Sequence, residues 1–390
     1  MTEFEARAER LLPDMIADIE TLVRAESPTD DTEALARSAD VLTAMGRGHL
    51  GSTPERVEVE RRPHLVWRLG AGPRRLLLLA HHDTVWPFGS WGERIWKVED
   101  GVIRGPGCLD MAGGIVQAMY ALRLLAETRA TLDGVTFLVT ADEEIGSPTA
   151  RELIEREAAP CQAVFVLEPG GPHGELKTER KGSSRYTVHV TGRAAHAGLE
   201  PERGVNAGVE LAHHVLAVDT LADRAAGTTV TPTVMSAGTT TNTVPAQGAL
   251  HVDVRTSSLA EQRRVDRALR ELTPFEEGAA VAVEGGPSRP PLPPESSADL
   301  FARAERVAAD AGLAPLRAIA SGAVSDGNLT AHLGIPTLDG LGAVGGGAHA
   351  DGEHVTASAI PGRTALLALL IADRLAARRP RGGRPSNRPS

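Results

Sequence analysis

The stretch VTFLVTADEEIGS, residues 135–147, sets an apolar run, Val135 to Val139, against three adjacent carboxylates, Asp142, Glu143 and Glu144. The run reads as a strand buried on both faces. Such a strand normally ends in turn residues; this one ends in negative charge. Neighbouring carboxylates raise one another's pKa or cost stability unless a cation sits among them. The pattern recurs. LLLLAHHD, 76–83, brings His81 and Asp83 to the end of a second apolar run, and VFVLEPG, 164–170, brings Glu168 to the end of a third. In open α/β sheets the ligand site lies beyond the carboxyl ends of the strands, so all three groups point to one place. A divalent metal there turns the repulsion into binding.

Within 81–83, side chains two apart on an extended strand share a face, so His81 and Asp83 lie together while His82 points away. A carboxylate beside a ligating imidazole fixes its tautomer and raises its basicity. The segment GVIRGPGCLDMAGG, 101–114, resembles a dinucleotide fingerprint only superficially, because Asp110 stands where the third glycine belongs and would repel a pyrophosphate. Gly105, Gly107, Gly113 and Gly114 are expected to let the backbone bend so that Asp110 projects into the site.

Apolar runs alternate with helical spacings over residues 76–167, which predicts an α/β fold with a mostly parallel sheet flanked by helices. Helices are expected from Leu12 to Ser27, Thr32 to Met45, Gly114 to Glu127 and Thr149 to Glu157. After Lys181 the pattern changes to half-exposed strands, such as Tyr186 to Val190, and helices over 205–218 and 259–272. The proline cluster GGPSRPPLPP, 285–294, reads as a boundary. Residues 182–288 are therefore expected to form an inserted α+β domain, with a discontinuous catalytic domain from 1–181 and 289–378 and a disordered tail over 379–390.

The chain has 390 residues, 42% hydrophobic and 24% charged, a globular balance large enough for two domains. Its net charge of -10 and 3% aromatic content argue against nucleic acid, which needs a basic face and stacking platforms. Two cysteines, Cys108 and Cys161, imply no disulfide framework. The first residues lack the layout of a signal peptide, and no apolar stretch is read as approaching the roughly 20 residues that cross a bilayer. A cytoplasmic location without membrane contact is the expectation.

Taken in order, AHHDTV (80–85), GPGCLDMAGG (105–114), TADEEIGS (140–147), VLEPG (166–170), GRAAHAG (192–198), TTTNTVPA (239–246), DVR (253–255), SGAVSDGN (321–328) and GAHADGEHV (347–355) resemble the dinuclear zinc exopeptidases and amidohydrolases. That family includes glutamate carboxypeptidase, aminoacylase and succinyl-diaminopimelate desuccinylase. The resemblance implies two Zn2+ ions, or Co2+ or Mn2+ in their place, bridged by Asp110. His81 and Glu168 would hold one, and Glu144 and His349 the other. Glu143 would be the general base and Asp83 the partner of His81. The inserted domain would be a dimerisation lid, giving a homodimer in which His196, helped by Asn242, stabilises the oxyanion. Arg255 would anchor a free carboxylate on a small-molecule substrate, and Ser325, Asp326, Gly327 and Asn328 would line the specificity pocket.

The activity so implied is hydrolysis of an amide next to a free carboxylate, as in glutamate carboxypeptidase. The alternatives are an N-acyl-amino-acid deacylase and a non-catalytic metal-binding relative. Two departures stand out: Ala112 replaces a lysine common in the family, and Trp86, Phe88 and Trp91 cluster after the His81 strand, where they could stack on an aromatic acyl group or simply pack.

Overall fold

The computed structural model of the protein describes residues 2–128 and 130–376, so the tail expected to be disordered, 379–390, lies outside the described residues. The chain divides into two compact units. One comprises Met1–Leu176, Ala298–Ala318 and the segment from Ile335 onward; the other comprises Lys177–Ser297 and Ile319–Gly334.

The first unit is built on a six-stranded sheet in the order Glu55–Val59, Arg62–Leu69, Val135–Thr140, Leu76–His81, Ala163–Val166, Thr337–Leu338. Leu76–His81 pairs in parallel with strands on both sides, and Thr337–Leu338 extends the parallel set. Only Arg62–Leu69 runs against the others, pairing antiparallel with Glu55–Val59 on one side and Val135–Thr140 on the other. Leu76 to Leu79, Phe137 and Phe165 are buried, as expected for strands covered on both faces, and Trp67 stacks on Phe137 with centroids 5.5 Å apart. Helices cover the sheet. Thr2 and Glu5 form a reciprocal cap at the start of Glu3–Ala25, and Asp31 accepts from the amides of Glu33 and Ala34 to start Thr32–Leu50. The hairpin Glu55–Val59 to Arg62–Leu69 has no counterpart in the sequence reading. Its two loop residues, Glu60 and Arg61, have φ values of 50° and 64°, the positive pair a two-residue hairpin needs but without the Asn-Gly signal that announces one.

Cys108–Glu127 is long and apolar enough to cross a membrane, contrary to expectation, but 83% of that window is buried inside the protein. The backbone is non-helical at Asp110 and Met111, and the helix proper, Gly113–Glu127, is central to the core. The glycines around this segment divide the work. Gly107 does adopt left-handed φ, at 68°, yet Gly114 is needed for close approach, since a Cβ there would lie 2.2 Å from the carbonyl oxygen of Leu167.

The second unit holds a four-stranded antiparallel sheet ordered Thr229–Ala237, Gln247–Thr256, Gly182–Thr191, Ala280–Arg289. Tyr186, Val188 and Val190 alternate inward with Leu250, Val252 and Val254, and pack on Leu211 and Val218 of helix Ala207–Asp219 and Val265 and Leu269 of helix Leu259–Arg270. The proline cluster is not simply a boundary. Ala280–Arg289 runs through its first half as a strand, because Pro287 sits on the sheet edge where the register shifts before Arg289 and its missing amide hydrogen costs no ladder bond.

Leu78→Ala on the central strand should lower stability by about 2–5 kcal/mol, whereas Val234→Ala, 58% exposed, should shift it by less than about 0.5 kcal/mol. Urea titration followed by circular dichroism measures both.

Candidate metal centre

Within the first unit, His81 ends its strand with a side chain 2% exposed. The ring is fixed on both edges. Nδ1 lies 3.0 Å from the backbone carbonyl of Asp83 and 3.5 Å from its carboxylate, while Nε2 lies 3.2 Å from Asp110 Oδ1 and 3.5 Å from Glu168 Oε1. His349 approaches from the other side: its Nε2 is 3.4 Å from Asp110 Oδ2 and 3.3 Å from Glu144 Oε1. The two oxygens of Asp110 thus face two different imidazoles. Donor atoms of His81, Glu143 and Glu168, and of His81, Asp110 and Glu144, lie within 4.8 Å of one another.

The three consecutive carboxylates separate. Asp142 turns back, its Oδ2 accepting from the backbone and hydroxyl of Thr149, at 2.6 and 2.7 Å, and from the Ala150 amide, so it ties down the approach to helix Arg151–Ala158. Glu143 and Glu144 face the cluster. Their amides donate to Asp83 Oδ1 and Oδ2, at 3.1 and 3.2 Å, and Thr29 donates its hydroxyl to Oδ2. Asp83 therefore joins the His81 strand to the Glu143 turn.

Electrostatics follow from burial and crowding. Burial opposes charge on His81, but the carboxylates of Asp110, Asp83 and Glu168 outweigh it and raise its pKa well above the usual imidazole value. Asp110 and Glu144 raise His349 to about 10. Burial would raise Asp110, yet bonds with His349 and His81 hold it well below the carboxylate range. Burial, with the Asp110 charge behind it, pushes Glu144 up to about 7 despite His349. Glu144 Oε1 is buried without a hydrogen bond of proper geometry although His349 Nε2 is 3.3 Å away, as expected of two donors aimed at a shared third atom rather than at each other. Imidazole and carboxylate in this mixture suit zinc and similar divalent ions, so the residues present fit such a centre.

His82 turns away. It is 5% exposed, with Nδ1 3.1 Å from the Ser38 hydroxyl and Nε2 3.1 Å from the Pro63 carbonyl oxygen. Sequence reasoning passed over His64. The Ala141 amide must donate to its Nδ1, at 3.2 Å, which leaves Nε2 to donate to Thr149 Oγ1, whose own proton goes to Asp142. Glu353 was also missed, though only four residues beyond His349: it is fully buried and bonded to the loop that carries Asp110. A buried acid at the end of an apolar strand announces itself, whereas this one sits in a glycine-rich loop.

The remaining expected residues lie in the second unit. His196 and Asn242 are exposed and neighbouring, since the Ala197 amide donates to the Asn242 carbonyl and His196 bridges to Thr243. Arg255 makes a two-pronged pair with Asp253, at 2.8 and 3.0 Å. The Ser325–Asn328 loop is buried. Asp326 is paired with Arg289 at 2.8 Å, Asn328 donates to the carbonyls of Lys181 and Pro290, and its Oδ1 accepts from the Ser325 amide. These bonds hold the loop in place. Of the aromatics in the first unit, Trp86 and Trp91 pack edge to face at 5.2 Å; Phe88 is 60% exposed with Arg37 over its ring.

The model of peptidase family M20/M25/M40 matches residues 77–373. The chain belongs to this family. Carboxypeptidase G2 of Pseudomonas sp. (strain RS-16) is 32% identical over 373 residues, 93% of this chain and 89% of its own length. Succinyl-diaminopimelate desuccinylase of Maricaulis maris (strain MCS10) is 30% identical over 188 residues, 44% of this chain and 46% of its own. In fold, the chain resembles aminopeptidase PepT of Bacillus cereus ATCC 10987, with a TM-score of 0.72 and 23% identity over 94% of this chain and 99% of that one. As an M20 member with this cluster of donors, the protein is a metallohydrolase.

Burial depresses the pKa values of both His64 and His82 to about 4, with mutual charge repulsion adding to His64 and the Pro63 carbonyl partly opposing on His82. The unfolded chain, with imidazoles near 6.5, takes up these protons first. The resulting stability is full above about pH 6.5 and is lost as pH falls toward 4. Imidazole NMR should accordingly show two histidines still neutral at pH 5.5.

Proposed function

We propose that the protein hydrolyses an amide bond next to a free carboxylate, in the manner of a glutamate carboxypeptidase, with two divalent ions, zinc first among them. The observation that carries this reading is Asp110, whose two carboxylate oxygens separately face His81 and His349. His81, Glu168 and Asp110 would hold one ion, and His349, Glu144 and Asp110 the other. Bound there, such ions would supply an acidified water and polarise the scissile carbonyl.

Each nearby residue then has a task. Asp83, facing His81 Nδ1, keeps Nε2 turned toward the ion site and makes it a stronger donor. Glu143 takes a proton from the attacking water onto its carboxylate and returns it to the departing nitrogen, the work of a general base positioned within hydrogen-bond reach. Its backbone is held by Asp83 and its turn by Asp142, so the carboxylate is aimed before substrate arrives. In the second unit, Arg255 would present a planar fork to the substrate carboxylate after releasing Asp253, and His196 with Asn242 would steady the oxyanion. The similarity to carboxypeptidase G2 over nearly the whole chain supports release of a C-terminal amino acid. A homodimer through the second unit and a cytoplasmic site of action belong to the same reading.

Glu143 lies within ligand reach of His81 and Glu168, so base and ligand roles must be separated by experiment. Glu143→Gln should retain two equivalents of metal by elemental analysis while turnover of N-acyl glutamate substrates falls about 100- to 10,000-fold. Loss of one metal equivalent would make Glu143 a ligand instead, and full activity would remove it from the chemistry.

A further inference from the structure

Glu353 is a carboxylate with 0% exposure and no cation paired with it among the described contacts; four N–H donors satisfy it instead. Oε1 accepts from the amides of Leu109 and Asp110 at 2.9 and 3.1 Å, and Oε2 accepts from the Gly107 amide at 3.0 Å and the Trp86 indole at 2.7 Å. Three separate segments of the first unit therefore meet at one side chain. The first follows Asp83 and carries Trp86, the second ends in Asp110, and the third is the tight turn that also carries His349. That turn is itself closed by Ala350 donating to Gly347 and Glu353 donating to Ala350.

We propose that Glu353 is a positioning residue for the metal centre: it sets the distance between Asp110 and His349 by locking the Asp110 loop onto the His349 turn. The inference rests on the metal-dependent reading above and extends it to a residue that touches neither ion nor substrate. The geometry explains why a carboxylate is required. A glutamine has one oxygen and one NH2 group, so whichever edge the NH2 occupies would face two N–H donors. Glu353→Gln thus keeps the shape but loses two bonds and creates a donor-to-donor contact on one edge of the loop. His349 itself is half-exposed at 49%, on a turn whose flanks pair as Gly346 with His354 and His354 with Arg104, so the strands fix the base of the turn and Glu353 ties it to the Asp110 loop.

The experiment compares full-length wild type, Glu353→Gln and the milder Trp86→Phe, which removes one of the four donors while keeping an aromatic ring at the position. Zn2+ affinity and stoichiometry are read by chelator competition, the Co2+-loaded forms by visible absorption, and the metal-stripped forms by thermal melting. In Glu353→Gln the ion assigned to Glu144 and His349 should bind about 10- to 100-fold more weakly, the range for lost partners of metal ligands. The Co2+ spectrum should change, and kcat should fall with KM near wild type. Trp86→Phe should weaken the same ion by less than Glu353→Gln does, and it serves as the deciding variant if Glu353→Gln fails to fold. Unchanged affinity for both ions in folded Glu353→Gln overturns the proposal, as does equal weakening of both with a matching fall in the melting temperature of the stripped protein. Wild type that binds no divalent metal would instead sink the function proposed above; wild type that binds two, with Glu353→Gln identical to it, sinks this inference alone.

Discussion

The carboxylate of Asp83 is the constraint on which the rest of the site depends. It is fully buried and would be costly there alone, yet Thr29 and the amides of Glu143 and Glu144 donate to it while His81 faces it. Burial raises its pKa, but His81 and these partners outweigh that and keep it ionised. One anion thereby fixes the imidazole at the end of one strand and the turn at the end of the next. Because the two strands are parallel neighbours, with His81 opposite Thr140, the sheet delivers both ends to the same edge and Asp83 sets their relative orientation.

The adjacent acids at 142–144 can then take different work without large backbone change. Asp142 satisfies donors around Thr149, Glu143 and Glu144 hang their amides on Asp83, and their side chains reach into the cluster. Repulsion among the acids that remain is offset by His81 and His349, whose raised pKa values record the same field. A ligating imidazole must be neutral, so a cation entering the cluster replaces those protons rather than adding to them. The charge that the cluster tolerates is therefore set by its geometry and is ready for a divalent ion.

Much of this was legible in the sequence, and the limits have physical causes. Fully apolar runs ending in His81, Glu143 and Glu168 reveal strand, sheet edge and candidate site together, since the pattern is local and the topology rule does the rest. The hairpin at 55–69 was hidden because Glu60 and Arg61 adopt positive φ without glycine or asparagine to mark it. The strand at 280–289 was hidden because prolines forbidden in a central strand are harmless at an edge. His349 came only from resemblance, and the bonds of the Ser325–Asn328 loop could not be read from its motif at all. Glu353 and His64 left no local signal, because their function resides in which backbone amides they meet.

Those meetings join distant parts of the chain, and magnitudes show why so few bonds suffice. Glu353 is 243 to 246 residues from its amide partners. Closing so long a loop is less costly than its length suggests, since each doubling adds only about 0.6 kcal/mol. Hydrogen bonds to a charged group contribute about 1.5–3 kcal/mol each. Four of them on one carboxylate exceed several doublings of loop length, and they offset part of the burial that raises its pKa. A long strand or helix is therefore unnecessary to bring the last candidate ligand home; a five-residue span from His349 to Glu353 suffices, docked by the Glu353 side chain and by the short strands Gly345–Gly346, His354–Thr356 and Val102–Arg104 that pair beside it. The strand ends build the fixed part of the centre, and this short span completes it.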